Sequence, residues 1–124
     1  MKTIQTSAAP AAIGPYSQAK VVGNMLFTAG QIPLDPQTME IVQGGIEEQT
    51  RQVLKNLDAV MSEAGASWDS VVKATVFMTN LSDFGAFNSV YELHLKGAKP
   101  ARSTVQVAAL PKGALIEIEL IAEV

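Results

Sequence analysis

The sequence predicts an α+β sandwich in which two helices pack on one face of a mixed sheet, in the order β-β-β-α-β-α-β-β. Three observations lead there. Two stretches, residues 45–64 and 84–95, repeat apolar side chains at three- and four-residue spacing, the period of an amphipathic helix. Shorter runs of strand character separate and flank them, richest in β-branched residues at Val71 to Met78. Paired runs lie near both chain ends, so hairpins bracket the helices instead of a strict strand–helix alternation.

Thr3 to Gln5 reads as a short first strand, and a stretch of small residues and prolines follows from Ser7 to Pro15. Tyr16 to Val22 and Met25 to Gly30 flank the turn dipeptide Gly23-Asn24, the strongest hairpin signal of the N-terminal half. Asp35-Pro36 opens a turn. In the first helix Ile46, Val53, Leu54, Leu57, Val60, Met61 and Ala64 share a face, and Gly65 stands where a left-handed cap belongs. Glu47 and Arg51, four residues apart, pair on its polar side. After the strand Val71 to Met78, Phe84, Phe87, Val90, Tyr91 and Leu95 form the second helical stripe. Ser82-Asp83 starts that helix, and Gly97 and Pro100 end it. Arg102 to Val107 is a strand, Leu110 to Gly113 a turn, and Leu115 to Val124 a last long strand. The short connection makes the last two strands expected neighbours.

A chain of 124 residues fits one domain, spanning 1–124 with no linker. Apolar residues make up 48% and charged residues 17%, below the roughly 25% usual for soluble domains, which points to apolar surface hidden between copies. The net charge of −3 and the scattered basic residues speak against nucleic-acid binding. Absence of cysteine excludes thiol catalysis, disulfides and thiolate metal sites and fits a reducing compartment. The N-terminus lacks the apolar run of a signal peptide, no stretch reaches the roughly 18 apolar residues of a membrane span, and a cytoplasmic location is expected.

Two residue types carry the candidate chemistry. Arg51 is accounted for on the helix surface, which leaves Arg102 as the guanidinium available to grip a planar carboxylate with parallel donors. In the last strand Ile116, Ile118 and Leu120 point to the core, while Glu117 and Glu119 share the other face, about 7 Å apart. Desolvation and the second carboxylate would favour the protonated form of either, tuning it for acid–base work. Periodicity does not choose between them. His94 has no second histidine or cysteine to share a zinc ion with and is read as exposed or capping. Tyr16 follows the tight Gly14-Pro15 turn and is equally compatible with a cleft wall or a core position.

These segments, in order, resemble the Rid/YjgF family of small enamine/imine deaminases. The matching pieces are Ala11-Ala12-Ile13-Gly14-Pro15-Tyr16-Ser17-Gln18, Thr28-Ala29-Gly30-Gln31-Ile32-Pro33, Lys73 to Phe77, Asn88 with Tyr91, and Pro100-Ala101-Arg102-Ser103 through Leu110-Pro111 to Ile116-Glu117-Ile118-Glu119. The resemblance implies a chorismate-mutase-like fold and a homotrimer with clefts between subunits. It implies hydrolysis of 2-aminoacrylate-type enamines and their imine tautomers, 2-iminopropanoate and 2-iminobutanoate, to 2-keto acids and ammonia, without metal or organic cofactor. Carried over, Arg102 clamps the substrate carboxylate and Glu117 positions and activates water. Tyr16 forms part of the cleft wall, with Gly30, Asn88 and Thr104 as further contacts. Ala29 and Thr104 stand where family members often have serine and cysteine, which bears on substrate range. A non-catalytic carboxylate-binding trimer and, further off, an endoribonuclease are the competing readings.

Overall fold

The computed structural model describes residues 1–124. At Gly23 a φ of 57°, open to a residue without Cβ, turns β2 (Ala19–Val22) tightly into β3 (Met25–Thr28), as the Gly-Asn signal requires. Strand β1 (Lys2–Ile4) pairs antiparallel with β2. Helix α1 (Ile46–Ala64) ends at Gly65 in the left-handed region, where Ala66 N–H donates to Met61 O at 2.8 Å. Arg51 lies near both Glu47 and Glu48, at 3.6 and 3.7 Å, on the exposed side of α1.

Strand β4 (Val71–Met78), helix α2 (Phe84–Leu95) and strand β5 (Ala101–Gln106) form a crossover unit, so β4 and β5 run parallel. Strand β6 (Ile116–Glu123) then enters antiparallel between β3 and β4, giving the order β1-β2-β3-β6-β4-β5. The last two strands are therefore not neighbours, which corrects the reading from their short connection. The connection passes over the end of β4, where Met78 O accepts from Val107 N–H and Thr79 N–H donates to Leu115 O. Strand composition explains the outcome. β6 offers Ile116, Ile118, Leu120 and Ala122 to the helices, all buried, and occupies the middle of the sheet. The covered side of β5 carries Arg102, Thr104 and Gln106, which suits an edge where the helix layer ends.

Both helices cover one face. Val53, Leu54, Leu57, Val60 and Met61 of α1 and Phe87, Tyr91 and Leu95 of α2 pack on Leu26, Ala74, Val76, Met78 and the buried side of β6. The other face, with Phe27, Phe77, Val105 and Ile121, has no covering layer within the chain. No helix is long and apolar enough to cross a membrane.

Three local expectations change. Tyr16 to Gln18 are loop because the chain wraps around Gln18, whose buried amide donates to Pro10 O at 2.8 Å and accepts from Thr6 N–H at 2.7 Å. Asp83 stands at the N-cap of α2, as expected, but makes no side-chain cap bond. The cap bond comes one turn earlier, where Asn80 Oδ1 accepts from Ser82 N–H at 3.0 Å at the start of the 3-10 turn Leu81–Asp83. His94 bridges the helices, with Nε2 2.9 Å from Asp58 Oδ2, while Asp58 Oδ1 also accepts from Trp68 Nε1–H at 2.7 Å.

Candidate functional site

A bulge shapes the centre of the site. Phe27 of β3 pairs with Ile121, and Gln31 pairs with Ile118, so four steps along one strand face three along the other. The extra residue displaces the backbone at Ala29-Gly30. Thr28 Oγ1 fills the gap in the ladder by accepting from Leu120 N–H at 2.9 Å. The displaced Gly30 lies directly against Glu117. A Cβ built there falls 2.7 Å from Glu117 Cδ and 3.0 Å from its Cγ, so only glycine leaves room for the carboxyl group. Gly30→Ala is expected to cost about 1–3 kcal/mol by overpacking and to turn the Glu117 carboxyl away; denaturant titration reads the first effect and a structure of the variant the second.

Glu117 sits on the floor of a cleft of about 610 Å³ whose walls include Ile13, Tyr16, Ile32, Leu34 and Met39. Burial pushes its carboxyl pKa above the ordinary range, and the Glu119 charge on the same face pushes it further the same way. The periodicity reading that left the two glutamates equivalent is thereby resolved, because Glu119 is exposed and Glu117 is half-buried. A raised folded-state pKa stabilises the fold below the ordinary carboxylate range and loses that contribution as pH rises through the raised value. Glu117→Gln is therefore expected to melt higher than wild type at pH 7, with the difference vanishing in acid. Thermal melts across pH check this.

Arg102 lies elsewhere. Its Nη1–H donates to Asn88 Oδ1 at 2.8 Å, and its Cζ lies 4.9 Å from the Tyr91 ring centroid, 5.4 Å from Phe84 and 5.5 Å from Phe87. These four residues follow the spacing of one face of α2, so a single helix surface orients the guanidinium by cation–π contact and one hydrogen bond. The pocket at this end measures about 880 Å³ and is lined by Asn88, Tyr91, Lys96, Lys99 and Arg102. Burial raises the Tyr91 pKa, with the nearby Arg102 charge drawing it partly back. Thr104, next along the same side of β5, has a buried Oγ1 without a hydrogen-bond partner.

Sheet register separates the two halves. Arg102 pairs with Ala74 and Glu117 with Phe77. Ala74 and Phe77 are three residues apart on β4, so their side chains point to opposite faces. Arg102 is thus on the helix side and Glu117 on the open side, with β4 between their strands. The structure brings Tyr16 and Gly30 to Glu117, and Asn88 and Thr104 to the side of Arg102. It does not bring the two groups together within one chain, as adjacent strands would have done. Sequence reasoning missed Thr28 and Gln31, which frame Gly30, and placed Phe84 and Phe87 in the core stripe without their role around Arg102. Helical spacing of Phe84, Phe87, Asn88 and Tyr91 was the available signal.

The comparisons agree over almost the whole chain. The family model for endoribonuclease L-PSP matches residues 6–124. A 2-iminobutanoate/2-iminopropanoate deaminase from Mus musculus is 47% identical, over 98% of this chain and 90% of its own length. A protein of the conserved Rid family from Yersinia pestis superposes with a TM-score of 0.97 at 53% identity, covering 99% of this chain and 98% of that one. TdcF from E. coli, solved with bound serine, superposes with a TM-score of 0.95 at 46% identity, covering 100% of this chain and 99% of that one.

Proposed function

The chain belongs to the Rid family, and from that premise we propose that it hydrolyses 2-aminoacrylate-type enamines and their imines, 2-iminopropanoate and 2-iminobutanoate, to 2-keto acids and ammonia. The observation that carries the reading is the half-buried Glu117 carboxyl seated against Gly30 in a cleft, its pKa raised from the ordinary value by burial and by the Glu119 charge. A base poised in this way takes a proton from water that a free carboxylate would not hold. The rodent relative named a 2-iminobutanoate/2-iminopropanoate deaminase supports the substrate class.

The working site takes Arg102 from one copy and Glu117 from a neighbour. Their placement on opposite faces of the sheet supports a site shared between two copies. The uncovered sheet face, where Phe27 and Val105 are 43% and 42% exposed, provides apolar surface for that association. A closed homotrimer repeats one such contact three times. In the reaction, the fork of Arg102 holds the substrate carboxylate. Glu117 accepts a proton as water oxygen bonds to the imine carbon. It passes that proton to nitrogen to give the tetrahedral carbinolamine. It then takes the hydroxyl proton of that intermediate and delivers it to nitrogen as the carbon–nitrogen bond breaks, releasing ammonia and the 2-keto acid. Asn88 keeps the guanidinium aimed, Tyr16 walls the cleft, and Thr104 places its free hydroxyl on the side of Arg102.

Coupling the protein to a threonine or serine dehydratase tests this. Keto acid is expected to appear faster than spontaneous hydrolysis allows, and an unaccelerated time course with an active dehydratase would refute deamination. Below the raised pKa of Glu117 the rate is expected to fall, with an acid limb lying above the ordinary carboxylate range.

A further inference from the structure

The Glu117 cleft is closed at one side by a contact that the chemistry above does not use. Only Met39, Lys96 and Lys112 among non-glycine residues have positive φ, and two of these line this one cleft. Met39 has φ 60° and Lys112 φ 57°, a conformation that costs an L-residue about 1–2 kcal/mol. Lys112 Nζ donates to Met39 O at 3.2 Å, joining positions 73 residues apart. The loops that meet there are each anchored at the root on α1. Asn56 Nδ2 donates to Leu34 O at 3.0 Å, and Gln49 Oε1 accepts from Leu115 N–H at 2.8 Å. The turn carrying Met39 is stiffened internally, since Met39 N–H donates to Asp35 O at 2.8 Å and Asp35 Oδ1 accepts from Gln37 N–H at 2.8 Å. Roots fixed on one helix and tips fixed by one hydrogen bond make a frame of set width.

We propose that the Lys112–Met39 clasp is a specificity determinant that limits how long a substrate side chain the Glu117 cleft admits. The inference rests on the deaminase reading for its substrates. Lys112 is the only cation lining this cleft, yet it is spent on a backbone carbonyl, so its part is to hold the wall and not the substrate. Loss of the donor frees the two strained tips to relax apart, which widens a cleft whose lining includes the apolar side chains of Ile32 and Leu34.

The test compares wild type, Lys112→Met and Lys112→Arg on imines generated in place from alanine and from leucine by an amino-acid oxidase. Lys112→Met keeps the stem and removes the donor. It is expected to raise the ratio of kcat/KM for the leucine-derived over the alanine-derived imine about tenfold, the scale on which pockets discriminate by side-chain size. Lys112→Arg keeps a donor and is expected to stay near the wild-type ratio. An unchanged ratio in Lys112→Met, or an equal shift in Lys112→Arg, overturns the proposal. Calorimetric affinities for pyruvate and 4-methyl-2-oxopentanoate give the same comparison without turnover. A protein that binds both keto acids but hydrolyses neither imine would therefore refute the deaminase reading while still deciding the clasp.

Discussion

Arg102→Ala is expected to lower kcat/KM for 2-iminopropanoate by roughly 10²–10⁴-fold while the chain still folds. The estimate follows from two charge-assisted hydrogen bonds to the substrate carboxylate, each contributing about 1.5–3 kcal/mol. The fold is expected to survive because Arg102 sits on the edge strand β5, partly exposed, with the core layers complete beneath it. Some stability will go, since the guanidinium covers the faces of Phe84, Phe87 and Tyr91. Arg102→Lys separates charge from geometry. A lysine keeps the positive charge and the stem but offers no planar fork to hold the carboxylate and Asn88 at once, so its activity is expected to remain well below wild type. Steady-state kinetics together with melting curves decide the case, and undiminished keto-acid release by Arg102→Ala would remove Arg102 from the site.

Glu117→Gln is expected to lose about 10²–10⁴-fold in turnover, the usual contribution of a positioned acid–base group. Binding of a 2-keto acid is expected to persist within a few-fold, because the amide fits the same space against Gly30 and Arg102 is untouched. The pairing of lower activity with a higher melting temperature at pH 7 is the informative result. A carboxylate held for structure alone would lower both when replaced. Glu119→Gln is expected to retain turnover, because Glu119 is exposed and outside the cleft. Full turnover by Glu117→Gln would show that another group handles the proton.

Much of the fold was legible because local chemistry and tertiary demand agree. The α1 stripe from Ile46 to Met61, the Gly65 cap, the Gly23-Asn24 turn and the alternation through Ile116, Ile118 and Leu120 all follow from short-range rules. Sheet order was not legible from the connection between β5 and β6. Sequential strands usually lie together, and here the crossover through α2 placed β5 beside β4 first. The polar covered side of β5, with Arg102, Thr104 and Gln106, carried the information that it is an edge. Of the candidate site, Arg102 was singled out by residue type and Glu117 was chosen over Glu119 only through the family resemblance. Their separation was not legible, since a face assignment across β4 needs the register. Gly30 was legible only through the family resemblance. Its physical reason, the bulge that presses it on Glu117, depends on Gln31 meeting Ile118 and has no signature in the sequence.

The central claim is that each site is built from Arg102 of one copy and Glu117 of another. Complementation tests it most directly. Arg102→Ala and Glu117→Gln, each inactive alone, are unfolded, mixed in equal amounts and refolded together, and imine hydrolysis is measured. Random assembly into closed homotrimers gives roughly a quarter of the sites both native residues, so activity near a quarter of wild type is expected. A mixture as inactive as its two components, with hetero-oligomers shown to be present, would contradict the shared site.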